Sequence, residues 1–268
     1  MHLNSDIPSD ARVGVVGAGR VGTALAAALR EAGVAVEGPA GRGEVPRGCH
    51  AIVLCVPDAE IEAAATTVAG AAPLTGHTSG ATPLSALAPA GGESFGLHPL
   101  QSFAGATEAG GAAAGGAFAG AGALLAFAGA GCAVAGTTPE ALAFAAGLAR
   151  TLGMTPFEID DQGRAAYHAA ASVASNFLVT LEAAAERIAA GAGLEPDEAR
   201  RLLLPLVRRT VDNVGALGPE RALTGPVARG DEATVAAQRR AVAETAPELL
   251  DLFDVLVEQT RALAGARV

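Results

Sequence analysis

Residues 17–22, Gly17-Ala18-Gly19-Arg20-Val21-Gly22, constrain this chain more than any other stretch. The β-branched run Val13-Gly14-Val15-Val16 precedes them and Thr23-Ala24-Leu25-Ala26-Ala27-Ala28-Leu29 follows. Strand, glycine turn and helix start, in that order, are the context in which GxGxxG cradles a dinucleotide. Gly17 makes the tight turn, Gly19 lets backbone approach a pyrophosphate, and Gly22 lets the helix pack close to the strand. Ala18, Arg20 and Val21 complete the cradle, where phosphates rest on unpaired helix N–H groups. Glycine is abundant, 35 of 268 residues, so the pattern alone also describes a plain strand-to-helix turn. The flanking runs decide for the cradle.

Composition narrows what surrounds that turn. A chain of 268 residues suits one large or two ordinary domains, and its core must rest on small aliphatic side chains, since aromatics make up only 3%. The net charge of −10 argues against a nucleic-acid surface, whose footprint is basic. All 18 basic residues are arginine; the absence of lysine removes any reading that needs a lysine general acid or Schiff base. Cys49, Cys55 and Cys132 are scattered, with no CxxC spacing, so neither a disulfide framework nor a metal site is expected. Asp6 and Asp10 interrupt the N-terminus, and no apolar run is long enough for a membrane span, so a cytoplasmic protein without membrane contacts is expected.

Short apolar runs alternate with helical segments through residues 1–158, the pattern of a doubly wound parallel α/β sheet. Strands are expected over residues 12–16, 34–37, 51–56, 74–78, 94–98, 123–128 and 155–159. Helices are expected over 21–32, 58–69 and 139–152, with Asp58 and Thr138 as N-caps. Residues 104–122 are nearly all small; they read as a low-complexity connection or as a mobile cover near a site. Residues 159–268 read as an all-helical second domain, with helices over 162–190, 196–214, 231–245 and 247–263. Gly191-Ala192-Gly193 breaks the first of these, Pro196 suits the opening turn of the next, and Pro205 should kink it.

Cofactor choice is read where the second strand ends. Glu37 stands about 20 residues past Gly17, the distance at which an acidic residue holds the ribose in NAD-binding chains. The chain nevertheless continues through Gly38-Pro39 before turning, and Arg42 occupies the place of the acidic residue. The balance falls to NADP, with NAD the alternative. Val56-Pro57 ends the third strand where backbone commonly lies against the dinucleotide, although a proline-stopped strand explains those residues equally. His77-Thr78-Ser79-Gly80 ends the next strand, so Thr78 and Ser79 are candidates to meet the nicotinamide or a substrate, or form a simple turn.

His98, leaving a strand and followed by Pro99, is well placed to donate a proton or hydrogen bond to a carbonyl oxygen, with Gln101 beside it as a substrate contact. His168, Ser172 and Asn176 fall on one helical stripe at i, i+4 and i+8 and need partners, either a ligand or an internal hydrogen-bond seam. Thr224 and Arg229 lie between two helices, where Arg229 can clamp a carboxylate or simply sit at the surface.

Residues 17–22, His77-Thr78-Ser79-Gly80, His98-Pro99-Leu100-Gln101-Ser102-Phe103, Tyr167-His168-Ala169-Ala170 with Asn176, and Thr224-Gly225-Pro226 with Arg229-Gly230-Asp231 recur in order over nearly the whole chain. Together they resemble the two-domain Rossmann-like oxidoreductases whose helical C-terminal domain long carried only an unknown-function label. Some members of that family are described as an alternative ketopantoate reductase. The resemblance implies a helical domain similar to that of 6-phosphogluconate dehydrogenase, a homodimer formed through it, and an active site between the domains. Relatives in the wider superfamily present a lysine and an asparagine one helical turn apart; Asn176 matches the asparagine, and Ser172 stands where the lysine would be. His98-Pro99 is also similar to the His-Pro segment of prephenate dehydrogenases, which supports His98 as the acid or base.

The expected activity is NADP-linked reduction of a small oxo acid, ketopantoate being one candidate. His98 would assist at the oxygen, Asn176, His168 and Ser79 would orient the substrate, and Arg229 would neutralise its carboxylate. A non-catalytic NADP-binding sensor, a prephenate-dehydrogenase-like enzyme and an imine-reductase-like enzyme are the alternatives.

Overall fold

A computed structural model describes residues 7–103 and 122–266. The expected cover at 104–122 therefore lies outside the described residues, apart from its last residue, as does Asp6. Among the described residues seven strands form one sheet: β1 (Arg12–Val16), β2 (Ala35–Ala40), β3 (Ala51–Leu54), β4 (Leu74–His77), β5 (Glu93–Pro99), β6 (Gly131–Gly136) and β7 (Thr155–Glu158). Their order is β2-β1-β3-β4-β5-β6-β7. The order reverses between β1 and β3, the switch point at which open α/β sheets bind ligands.

Helices α1 (Arg20–Glu31), α2 (Ile61–Thr67) and α3 (Pro139–Thr151) cover the sheet. One apolar cluster joins Val13, Val15 and Val53 to Leu25, Leu29, Phe144 and Leu148, while another joins Ile52 and Leu54 to Ile61, Val68 and Leu87. Alternate residues of β3 thus serve opposite clusters, and the strand is buried along its whole length, as expected of a parallel strand covered on both faces. Gly76 and Phe95 are register partners on β4 and β5, and the Phe95 ring fills the space a side chain at Gly76 would take, 2.3 Å from an added Cβ.

The doubly wound arrangement holds with two corrections. The apolar run at 123–128 is not a strand. Ala123–Ala126 form a 3-10 turn instead, which delivers Phe127 into the core against Phe103 at 5.2 Å. Alanine and leucine lack the β-branching that favours a pleated strand. The strand of this region is β6, and it pairs antiparallel with β5, so the sheet is mixed. Asp58 also opens a 3-10 turn, Asp58–Glu60, without a capping side-chain bond.

The chain divides into two compact units, Met1–Ser172 and Val173–Val268, the division falling inside α4 (Arg164–Ala174). Beyond it lie α5 (Asn176–Ala190), α6 (Pro196–Leu217), α7 (Pro219–Ala222), α8 (Glu232–Thr245) and α9 (Leu250–Gly265). The long helix expected at 162–190 is in fact two, because the chain leaves helical geometry at Ser175. By contrast, α6 runs through Pro205 without ending. Arg200 grips Glu186 with two bonds of 2.7 and 2.8 Å, and Arg239 grips Asp254 with bonds of 2.8 and 2.7 Å. Among the described residues no helix is long and apolar enough to cross a membrane.

Thr138 caps α3, its hydroxyl accepting from Ala141 N at 3.1 Å while donating to Glu93 at 2.6 Å. Replacing Thr138 with alanine should lower unfolding free energy by about 1 kcal/mol, read as a lower urea midpoint at unchanged slope.

Candidate functional site

At the switch point the first turn packs directly on the end of β3. Gly17 has φ +106°, and a Cβ there would lie 2.3 Å from the carbonyl oxygen of Cys55. A Cβ at Gly22 would lie 1.9 Å from the carbonyl oxygen of Gly17. Gly19 differs: a Cβ added there meets nothing within 4 Å. Gly17 and Gly22 are thus glycine because protein fills the space, and Gly19 keeps an open approach to the N-terminus of α1. A twelve-residue helix with no acidic residue in its first turn leaves its N–H groups free to take a phosphate.

The open space is a cleft of about 420 Å³ lined by Gly17, Ala18, Gly19, Arg42, Cys55, Val56 and Pro57 among others. The cradle fits a dinucleotide on size, on backbone donors and on the glycine that leaves it accessible. Arg42 lies on its rim, 84% exposed, and bonds Glu60 with both contacts at 2.8 Å. Glu37, the alternative ribose ligand, does not reach the cleft; it pairs with Arg12 at 2.8 Å. The reason is that β2 runs on to Ala40 instead of stopping at Glu37, which leaves Glu37 within the strand and puts Arg42 in the following turn. Burial pushes the Cys55 thiol up to about 12, so this cysteine lines the cleft as a neutral group.

A second group of polar residues gathers along the same carboxyl edge of the sheet, beyond β4 and β5. His77 is fully buried, and its Nδ1 accepts from the backbone N of Ser79 at 3.2 Å. The Ser79 hydroxyl, buried in its turn, bonds Thr82 at 3.0 Å and accepts from the backbone of Ala81 and Thr82. His98, near the end of β5, lies with Nδ1 2.6 Å from the hydroxyl of Tyr167. Its ring also packs edge-on against His168 at 6.0 Å. Gly80 sits beneath both imidazoles: a Cβ there would be 2.8 Å from His168 Nδ1 and 2.9 Å from His98 Nε2.

Arg164 sits under this group, only 4% exposed, and donates through Nε to Asp161 at 3.0 Å. Its Nη2 and the Nδ1 of His168 are both buried without a hydrogen-bond partner among the described residues. Arg164, Tyr167 and His168 share one face of α4 at i, i+3 and i+4. Sequence reasoning passed over Arg164 and gave no role to Tyr167, the only tyrosine in the chain. Their helical spacing from His168 was the signal that points to both.

The remaining candidates take no part in the contacts given above. Gln101 spends both ends of its amide on structure, donating to Ala126 O at 3.0 Å and accepting from Ser102 N at 2.9 Å. Ser172 shares the α4 face of His168, but Asn176 opens α5 beyond the break at Ser175, so the three-residue stripe does not form on one helix. Arg229 ends a short 3-10 turn, Val227–Arg229, before the α8 cap Asp231, and Thr224 precedes that turn. Arg20, Val21 and Gly22 open α1 behind the cleft, and Thr78 follows β4, its backbone N bonded to Leu54 O at 3.1 Å.

Burial keeps His77 and His98 neutral. Desolvation, helped by the Arg164 charge, lowers His77 from its ordinary 6.5 to about 4. His98 is lowered to about 4 by desolvation first and by His168 and Arg164, with Asp58 opposing. Burial pushes the Tyr167 phenol up to about 12. At neutral pH the pair is therefore an uncharged imidazole and an un-ionised phenol.

A sheet with a nucleotide cradle at its switch point, followed by a helical unit, defines the molecule as a Rossmann-type two-unit protein. Residues 130–260 match the model of a family described as a domain of unknown function, DUF2520. That stretch covers just under half of the chain and runs from β6 into α9. No protein of curated function matches its sequence. Among solved structures it is similar to the candidate NADP oxidoreductase BF3122 of Bacteroides fragilis, at 21% identity over 95% of this chain and 99% of that one, with a TM-score of 0.74. It is also similar to protein TM1727 of Thermotoga maritima, at 24% identity over 95% and 98%, with a TM-score of 0.71. A pyrroline carboxylate reductase of Plasmodium falciparum with NADP bound aligns at 12% identity over 96% and 99%, with a TM-score of 0.59.

The lowered histidines couple protonation to folding. A histidine that is neutral in the fold contributes stability in full above its ordinary 6.5, and loses that contribution as pH falls toward 4, because the unfolded chain takes up the proton first. For His77 the effect is on the order of 3 kcal/mol. Urea unfolding followed from neutral pH down to 4 should show stability falling across that window, and His77→Asn should flatten the slope.

Proposed function

We propose that the protein is an NADP-dependent oxidoreductase that reduces the carbonyl of a small oxo acid, with ketopantoate the first candidate. The observation that carries this reading is the cleft over Gly19, in which Arg42 and not Glu37 stands at the rim. A guanidinium there offers a planar fork to a ribose phosphate, which would compete with Glu60 for it. The NADP bound to the Plasmodium falciparum structural neighbour supports the same cofactor. When bound, the nicotinamide supplies a hydride to the substrate carbon.

This chain's residues then serve the oxygen. A neutral His98 acts as an N–H donor toward the developing alkoxide, in a group whose burial strengthens each polar contact. Ser79 and His168 are assigned to substrate orientation, as are Ser172, Thr224 and Asn176, while Gln101, its amide engaged by Ala126 and Ser102, is not. Arg229 is assigned to the substrate carboxylate. The cofactor contacts are Gly17, Ala18, Gly19, Arg20, Val21, Gly22, Arg42, Val56, Pro57, Thr78 and Ser79. Exposed apolar side chains on α5 and α6, including Phe177, Val179, Leu206 and Val211, support a homodimer through the helical unit. The missing lysine supports a second reading, a sensor that binds NADP without chemistry.

Titrating ketopantoate, prephenate and cyclic imines into protein with NADPH separates these readings, because a sensor oxidises no cofactor with any of them. Replacing His98 with alanine should lower kcat by roughly a hundred- to ten-thousandfold while NADPH binding stays intact. Arg42→Ala should weaken NADPH by about tenfold or more and leave NADH nearly unchanged, measured by calorimetry. Equal losses for the two nucleotides would remove Arg42 from cofactor choice.

A further inference from the structure

Tyr167 is not among the groups assigned above, yet it makes the shortest described side-chain contact that His98 has. We propose that Tyr167 is a positioning residue for His98: its hydroxyl donates to Nδ1, holds the imidazole in the tautomer protonated on Nε2, and thereby fixes an N–H donor at the space beside Gly80. The use of that donor on a substrate oxygen rests on the oxidoreductase reading; the tautomer itself does not.

Three observations support the direction of the bond. Its length of 2.6 Å suits an O–H donor and is shorter than N–H donors ordinarily allow. Chemically, an imidazole nitrogen is a far better base than a phenol oxygen, and a phenol is the better proton donor, so O–H···N is the favoured pairing. The surroundings also leave Tyr167 no competing use: its ring is wedged between the edges of His98 at 5.5 Å and Phe157 at 5.8 Å, and no other described hydrogen bond takes its hydroxyl.

With Nδ1 occupied, the proton of a neutral His98 must sit on Nε2. That atom and His168 Nδ1 both lie within 2.9 Å of the one point where Gly80 lacks a side chain. The charged and titratable groups around the pair are His168 and Arg164 from α4, Cys132 from β6 and Asp58 from the turn after β3. None of them is bonded to Nδ1 of His98, so nothing described here displaces the phenol. A carboxylate commonly orients a catalytic histidine and stabilises its cation. A phenol in that place orients without supplying charge, which matches an imidazole meant to donate while neutral.

The chain holds one tyrosine and no tryptophan, so every phenol signal belongs to Tyr167. Nitrogen-15 spectra of histidine-labelled protein at neutral pH, without ligand, should show His98 protonated on Nε2 and bare on Nδ1. In Tyr167→Phe the Nδ1-protonated form should become populated, and kcat with ketopantoate and NADPH should fall about tenfold or more, with NADPH affinity held within about twofold. A proton on Nδ1 in the wild type would overturn the proposal, as would a Tyr167→Phe variant with unchanged tautomer. Should that variant fail to fold, biosynthetic replacement of tyrosine by fluorotyrosine alters this single phenol and keeps its ring. The more acidic phenol should then shift the His98 Nδ1 resonance, and no shift counts against the bond. Failure of the oxidoreductase reading looks different: wild-type protein would oxidise no NADPH while its tautomer stayed as stated.

Discussion

The close approach of the turn after β1 to the end of β3 is the contact on which the candidate site depends. Gly17 takes a positive φ with the Cys55 carbonyl directly against it, and Gly22 lies where a Cβ would collide with Gly17. That packing seats α1 at the carboxyl end of β1, aims its free N–H groups outward, and leaves Gly19 as the open wall of the cleft. A side chain at either packed glycine would have to push helix and strand apart, by an overlap that close-packed interiors do not absorb.

The second constraint is dryness. His77 and Arg164 are buried polar groups, His98 and Tyr167 partly buried ones, and each is accommodated differently. His77 remains neutral and accepts at Nδ1 from the backbone of Ser79; His98 Nδ1 and the Tyr167 hydroxyl bond one another; Arg164 donates to Asp161. One cation placed among neutral histidines disfavours their protonation, and so preserves the donors and acceptors that an uncharged imidazole offers. Among the described residues the Nη2 of Arg164 and Nδ1 of His168 find no partner, which is costly for buried atoms and typical of places that bind or react.

Much of this was legible along the chain because its signals are local. Strands β1, β3, β4 and β5 announce themselves by apolar runs bounded by turn residues, and the Thr138 cap of α3 is set within four residues of its own sequence. The failures share a cause. The run at 123–128 is apolar enough for a strand, but the decision between strand and 3-10 turn fell to where Phe127 could be buried. The stripe from His168 to Asn176 obeys helical arithmetic that the break at Ser175 cancels. Arg42 and Glu37 both suit a ribose contact when counted along the chain; where β2 ends puts Arg42, and not Glu37, on the cleft.

By itself the sequence determined the alternation of strands and helices, the glycine cradle, the change to an all-helical second part, and the exclusion of lysine chemistry, since each of these is carried by neighbouring residues or by composition. Only the tertiary structure decided that β6 runs antiparallel, that Glu37 belongs to Arg12, and that His98 meets Tyr167 across 69 positions of chain. The physical reason is that strand pairing, burial and the protonation of a histidine depend on what lies a few ångströms away in space, and the spacing of residues along the chain does not state that.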